Sequence, residues 1–113
     1  MTFNEYQQRA RETAVYPLLN FNLVYPAMGL SGEAGEVCEK VKKYWRRTKY
    51  LDPRHMTLDE GSLIAHELGD VLWYVAAMCS ELRINMDEVA QRNLEKLHNR
   101  AVNKTLKGEG DER

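Results

Sequence analysis

The segment GLSGEAGEVCEK, Gly29 to Lys40, combines an apolar helical period with residues that such a helix ordinarily avoids. Its apolar residues recur at three- and four-residue spacing, which predicts an amphipathic helix facing a core. Glu33 and Glu36 nevertheless lie on or beside that apolar face. Gly32 and Gly35 each cost an isolated helix about 1 kcal/mol relative to alanine. We expect these glycines to allow a neighbouring helix, or a bound molecule, to approach closely.

The same apolar period predicts helices over most of the chain, and no segment alternates convincingly with period two. The predicted helices are Thr2 to Val15, Ala27 to about Thr48, about Leu58 to Leu82, and Asn85 to about Val102. Capping pairs begin three of them: Thr2 with Glu5, Thr57 with Glu60, and Asn85 with Glu88. The sequence therefore predicts an all-α domain, a bundle of four main helices.

Two segments between these helices are predicted to be irregular. Tyr16 to Pro26 contains two prolines and two asparagines among bulky apolar residues, which favours an ordered connector. Arg46 to Met56 is basic and contains Pro53, which favours an exposed loop. Residues 1–113 are predicted to form one domain, and residues 106–113 a polar tail.

Composition narrows the classes of protein to consider. A chain of 113 residues with 43% hydrophobic and 29% charged residues is typical of one globular domain. A net charge of -1 provides no global attraction to nucleic-acid polymers or anionic membranes, so neither is an expected partner. A cytoplasmic location is the default expectation, because no signal-peptide pattern is present. Cys38 and Cys79 are predicted to be reduced, buried structural thiols, since they lack metal-ligand spacing.

Four carboxylates form the most distinctive constellation in the sequence. Glu33 and Glu36, then Glu67 and Asp70, are two pairs at i, i+3 spacing on successive predicted helices. All four are expected to point toward the bundle interior, where they would require a countercharge. Oxygen-only ligation favours Mg²⁺ or Mn²⁺, and two ions remain an open alternative. The competing interpretation is that these acids are surface charges paired with Lys40, Lys42 and Lys43.

A magnesium site without a nucleophilic serine or cysteine favours phosphoryl or nucleotidyl chemistry. Such chemistry also requires cations for the remaining phosphate charge. Asn93, Lys96 and Arg100 lie one turn apart on one face of the fourth predicted helix, where they could bind phosphate oxygens. A solvated basic face is the alternative interpretation of these three residues.

Several segments resemble the MazG-like all-α nucleoside triphosphate pyrophosphohydrolases. They are YQQRARETAVYP, GLSGEAGEVCEKVKK, ELGDVLWYV, NLEKLHNR and GEGDER, which together extend over nearly the whole chain. The resemblance implies Mg²⁺-dependent hydrolysis of a nucleoside triphosphate between its α and β phosphates. Residue by residue, it assigns metal ligation and catalysis to Glu33, Glu36, Glu67 and Asp70, and phosphate contact to Asn93, Lys96 and Arg100. A non-catalytic module that binds nucleotide through the same groove is the alternative.

The resemblance also implies an assembly of several copies. Family members are typically dimers or dimer-based tetramers in which a neighbouring subunit completes the pocket. The many aromatic residues agree, because they exceed what one small core needs. We expect Trp73 to pack in a core or interface rather than against a base. The segment between Glu36 and Glu67 looks longer than in the most compact members. The tail is a candidate to close over phosphates through Gly108, Gly110 and Arg113.

Overall fold

The computed structural model describes residues 1–104, which form four α-helices and the segments that connect them. The helices are α1 (Phe3–Glu12), α2 (Val24–Thr48), α3 (Leu58–Leu82) and α4 (Met86–Asn103). A short 3₁₀ helix, Pro53–His55, lies between α2 and α3. The all-α prediction is therefore confirmed for this part of the chain. The predicted tail lies outside the described residues.

Two of the three predicted capping pairs form as expected. The Thr2 hydroxyl accepts a hydrogen bond from the Glu5 N–H at 3.0 Å, and the Glu5 carboxylate accepts one from the Thr2 N–H. Thr57 and Glu60 form the same reciprocal pair at the start of α3. Each box satisfies two backbone donors that an uncapped helix would leave without partners.

The prediction for the start of α4 is wrong, because the Asn85 side chain makes no capping hydrogen bond. Two residues of α1 provide the acceptors instead. Gln7 Oε1 accepts from the Met86 N–H at 2.7 Å, and Asn4 Oδ1 accepts from the Asp87 N–H at 3.0 Å. These contacts fix the first turn of α4 against α1.

The helix boundaries differ from the prediction around the connectors. Helix α1 ends at Glu12, and α2 begins at Val24. Pro26 therefore lies in the first turn of α2, where a backbone N–H would have no partner within the helix, so the missing N–H of proline costs no helix hydrogen bond. The predicted loop from Arg46 is helical up to Thr48 and includes the 3₁₀ turn. Lys49, at φ 62°, ends α2 in the left-handed conformation.

The core is small and lies where α1 packs on α3. Its buried residues are Ala10, Ala14, Tyr16, Ala76, Ala77, Cys79 and Met86. Helices α2 and α3 pack along each other, whereas α4 packs mainly against α1. The radius of gyration is 17.3 Å, whereas about 13 Å is typical of a compact domain of this length. The single chain is therefore open in shape.

Much apolar surface that the sequence pattern assigned to a core is exposed in this single chain. Examples are Val41, Trp45, Leu63, Leu68, Leu94 and Leu97. Cys79 is buried as predicted, but Cys38 is exposed, so that prediction is wrong for Cys38. Both thiols are free. Among the helices of residues 1–104, none is long and apolar enough to cross a membrane.

A buried carboxylate fixes the connector between α1 and α2. The Glu81 side chain on α3 is only 2% exposed, and it accepts hydrogen bonds from the Arg11 guanidinium and the Tyr16 hydroxyl. It also accepts from the N–H groups of Asn20 and Asn22, each at 3.0 Å. Burial alone would raise the pKa of Glu81, but these hydrogen bonds outweigh it and lower the pKa to about 2.

Candidate metal centre

The packing of α2 on α3 brings together three of the four predicted acids. One carboxylate oxygen each of Glu33, Glu67 and Asp70 lies within 4.8 Å of the other two. Glu67 and Asp70 are one turn apart on α3, and Glu33 faces them from α2. We call these three residues the acid trio. Their convergence provides three oxygen donors at one point of the surface.

The acid trio lies in a more exposed environment than the sequence predicted. Glu33 and Glu67 are half-buried, and Asp70 is exposed. The expectation that all four acids point into a bundle interior is therefore wrong for the single chain. The reason is that α4 packs against α1 and does not close over α2.

Mutual repulsion within the trio changes the acidity of Glu33. Partial desolvation raises the pKa of Glu33, and the negative charge of Asp70 and the contact with Glu67 raise the pKa further. Asp70 acts in the same direction on Tyr6 of α1, whose pKa is raised first by burial and then by that charge. The trio is thus a focus of negative potential, which a bound cation would relieve.

The fourth predicted acid, Glu36, is not part of the trio. Its side chain is 54% exposed, and its Oε2 atom lies 3.7 Å from Lys40 Nζ. Lys40 Nζ is also 3.7 Å from Glu67 Oε1. In this structure Glu36 therefore fits the alternative interpretation, a surface charge paired with a lysine. Lys42 pairs with Glu39, which is not one of the four predicted acids, at 2.9 Å. Metal ligation by Glu36 stays a prediction.

The predicted phosphate-binding residues lie on a different helix from the acids. Asn93 and Lys96 are exposed on α4, and Arg100 is half-buried there. Within residues 1–104, no hydrogen bond or ion pair joins Asn93 or Lys96 to the acid trio. Their contact with phosphate stays a prediction.

A groove opens beside the acid trio, between the first turns of α2 and the middle of α3. It is open to solvent, has a volume of about 510 Å³ and is lined by Asn22, Val24, Tyr25, Met28, Gly29 and Tyr74. We call it the tyrosine groove. Gly29 lies one turn before Glu33, and Tyr74 one turn after Asp70, so the groove continues directly from the trio. Burial raises the pKa of Tyr74, and the neighbouring Tyr25 and Glu33 raise it further.

The close approach predicted for glycines of α2 occurs at Gly29 instead. A Cβ atom at Gly29 would lie 2.2 Å from Tyr74 Cε1, so any larger residue there would force the Tyr74 ring to move. At Gly32 and Gly35 a Cβ atom would meet nothing within 4 Å in the described chain. No helix within residues 1–104 therefore uses their small size, and approach by a bound molecule stays a prediction.

Sequence reasoning missed the residues that position the groove. The Asn22 N–H donates to the Glu81 carboxylate, and the Asn22 side-chain oxygen accepts a hydrogen bond from the Tyr25 N–H. The Tyr25 ring in turn stacks on the Tyr16 ring, with ring centroids 4.8 Å apart. The available signal was a lone glutamate, Glu81, near the apolar end of α3. Trp73 packs as predicted, with its Nε1 donating to Thr13 Oγ1 at 2.8 Å.

Comparison with known proteins identifies relatives of the chain. Residues 26–104 match a family described as the MazG nucleotide pyrophosphohydrolase domain. The chain is also 40% identical to the Gene 37 protein of Mycobacterium phage L5, over 96% of the length of each protein. No solved structure matches the chain significantly. The family match includes both acidic pairs and the three predicted phosphate-binding residues.

Proposed function

The chain belongs to the MazG nucleotide pyrophosphohydrolase family, and on that premise we propose that it hydrolyses a nucleoside or deoxynucleoside triphosphate between the α and β phosphates. The products are a nucleoside monophosphate and pyrophosphate, the reaction requires Mg²⁺, and its role is to clean the nucleotide pool. The proposal treats residues 1–113 as one domain.

The observation that carries the proposal is the convergence of Glu33, Glu67 and Asp70. Their donors are all carboxylate oxygens, which suit hard ions such as Mg²⁺ or Mn²⁺. The pKa of Glu33 is raised by partial desolvation and then by the charges of Asp70 and Glu67, and a cation at the trio would offset those charges. A bound ion would neutralise phosphate charge and make a coordinated water more acidic. Glu36 joins the ligand set in this proposal.

The chain's own groups have three tasks in the reaction. One of the three glutamates, Glu33, Glu36 or Glu67, orients the attacking water and accepts its proton. Water attack forms a bond to the α-phosphorus while the bond to the α–β bridging oxygen breaks, and that oxygen leaves with pyrophosphate. Asn93, Lys96 and Arg100 bind oxygens of the phosphate chain. In one chain α4 packs mainly on α1, so in this proposal these residues reach the phosphates from a second copy.

The tyrosine groove is the proposed site of the nucleoside. Its volume of about 510 Å³ lies within the usual range of small-molecule pockets. Tyr25 and Tyr74 offer aromatic faces on which a base can stack, and hydroxyl groups that can donate to or accept from its edge. With the nucleoside there, the phosphate chain extends toward the acid trio one helical turn away.

We include a homodimer, or a tetramer built from dimers, in the proposal. Exposed apolar residues on α2 and α4 support it, among them Leu94, which is 61% exposed. The open shape of the single chain supports it as well, since a second copy could cover these helix faces.

Product analysis tests the proposed activity. Each common ribo- and deoxyribonucleoside triphosphate is incubated with the full chain and Mg²⁺, and the products are resolved by anion exchange. The expected products are a monophosphate and pyrophosphate for at least one substrate. Diphosphate with orthophosphate, or no turnover of any substrate, would refute the activity.

The second candidate function is a non-catalytic nucleotide-binding module. The exposure of Asp70 and the separation of Glu36 from the trio are the observations in its favour. Calorimetry with nucleotide and Mg²⁺ distinguishes the two: tight binding without turnover supports the module. Turnover that Glu67→Gln abolishes, while nucleotide binding persists, supports the enzyme.

A further inference from the structure

Lys40 places a cationic side chain directly against the acidic cluster, by which we mean the acid trio together with Glu36. It extends from α2, one turn beyond Glu36, and its Nζ atom is 3.7 Å from Glu36 Oε2 and 3.7 Å from Glu67 Oε1 on α3. The Lys40 side chain is only 23% exposed, whereas that of Lys42, which pairs with Glu39, is 44% exposed. One ammonium group therefore links the fourth acid to the trio across two helices.

The positive charge of Lys40 therefore lies beside carboxylates that a divalent ion would also bind. An ammonium group and a divalent cation near the same carboxylates repel each other. Lys40 also contacts Glu36, the carboxylate that is not among the trio's converging oxygens. A metal that is to use both Glu36 and Glu67 must therefore displace the ammonium group from them.

We propose that Lys40 is a built-in competitor of the divalent metal, which occupies Glu36 and Glu67 in the nucleotide-free protein and then turns to the phosphate chain of the bound nucleotide. This inference rests on the proposed function, because it takes the acidic cluster as the metal site. A compact, flexible ammonium group suits such an exchange, since it can pair with carboxylate or with phosphate. When the metal displaces the Lys40 ammonium group, that group regains an anionic partner only if the triphosphate is bound as well.

The proposal predicts two effects of opposite sign. Without Lys40, free metal should bind more tightly, because its competitor is gone. Nucleotide with metal should bind less tightly, because one phosphate contact is gone. Simple damage to the fold would weaken both.

Titration of the nucleotide-free full chain with Mn²⁺, followed by calorimetry and by electron paramagnetic resonance, tests the inference. Lys40→Met keeps the length of the side chain and removes its charge, and it should bind Mn²⁺ about tenfold more tightly than the wild type. Lys40→Gln is the second neutral variant, in case the first folds poorly. Lys40→Arg keeps the charge and should bind Mn²⁺ as the wild type does.

Lys42→Met is the matched control, because it removes the same charge from the same helix but from a pair outside the cluster. It should change Mn²⁺ affinity by less than about twofold, since the charge is screened by solvent. Equal affinities of wild type and Lys40→Met, or an equal gain in Lys42→Met, would overturn the role of Lys40. Failure of every variant to bind Mn²⁺ would instead refute the metal centre of the proposed function.

Discussion

Glu33 of α2 and Asp70 of α3 place carboxylate oxygens within 4.8 Å of each other, with Glu67 completing the group. Like charges at this separation destabilise the chain unless a cation offsets them. Partial desolvation raises the pKa of Glu33, and repulsion by Asp70 and Glu67 raises it further. The relationship between these two residues therefore connects the stability of the fold to metal binding.

Asp70→Asn should uncouple stability from magnesium. In the wild type, magnesium at about 100 times its dissociation constant should stabilise the fold by about 2.7 kcal/mol and raise Tm. The variant loses one donor and part of the repulsion on Glu33. Its Tm should therefore rise without magnesium and respond little to it. Thermal unfolding with and without Mg²⁺ measures this, and an undiminished magnesium response in the variant would contradict the prediction.

Gly29→Ala should disturb the tyrosine groove. The added Cβ would lie 2.2 Å from Tyr74 Cε1, so the ring must move, at about 1–3 kcal/mol of stability. We expect KM for the nucleotide to rise more than kcat falls.

Gly32→Ala is the matched control on the same helix, because its Cβ would meet no atom within 4 Å. In the single chain it should stabilise α2 by up to about 1 kcal/mol. Chemical denaturation measures both variants. Equal destabilisation by the two would show that the contact between Gly29 and Tyr74 is not the cause.

Glu81→Gln should destabilise the protein by about 2–3 kcal/mol, because it removes a charged acceptor from Arg11 in a buried site. Glu88→Gln, in the exposed pair with Arg92, should cost less than about 1 kcal/mol. Urea unfolding at neutral pH compares the two variants. Equal effects would contradict the structural role given to Glu81.

The pH dependence of stability provides a separate test of Glu81. Its folded pKa of about 2 lies below the ordinary value of 4.5, so its ionised form stabilises the fold above that ordinary value. This contribution should fade as pH falls from about 4.5 toward about 2. The wild type should therefore lose more stability across this range than Glu81→Gln does. Identical pH profiles would contradict the lowered pKa.

Leu94→Glu should separate the proposed subunits. Leu94 is exposed in the single chain, so the change should affect its own stability by less than about 0.5 kcal/mol. Sedimentation velocity should show the wild type as a dimer or tetramer and the variant as a smaller species. Gln91→Glu adds the same charge to α4 and is the control. A monomeric wild type would contradict the proposed assembly.

Local signals in the sequence predicted much of the helical structure. The capping boxes at Thr2 and Thr57 were predictable because each involves residues three apart. The start of α4 was not, since its acceptors, Asn4 and Gln7, come from α1. No local pattern encodes a contact between residues so distant in the chain.

Apolar periodicity predicts that a helix face is covered, but not which chain covers it. Val41 and Trp45 continue the apolar face of α2, yet both are exposed in the single chain. The acidic spacing likewise predicted which carboxylates share a helix face. It could not predict that Glu36 would lie outside the trio or that Lys40 would bridge Glu36 and Glu67, because both depend on side-chain packing across α2 and α3.

Hydrolysis in water labelled with heavy oxygen tests the central claim most directly. With Mg²⁺ and a triphosphate substrate, attack at the α-phosphorus places the label in the monophosphate, and Glu67→Gln abolishes the reaction. Mass spectrometry of both products reads the position of the label. Label in pyrophosphate or orthophosphate, or turnover that persists without divalent metal, would contradict metal-dependent cleavage between the α and β phosphates.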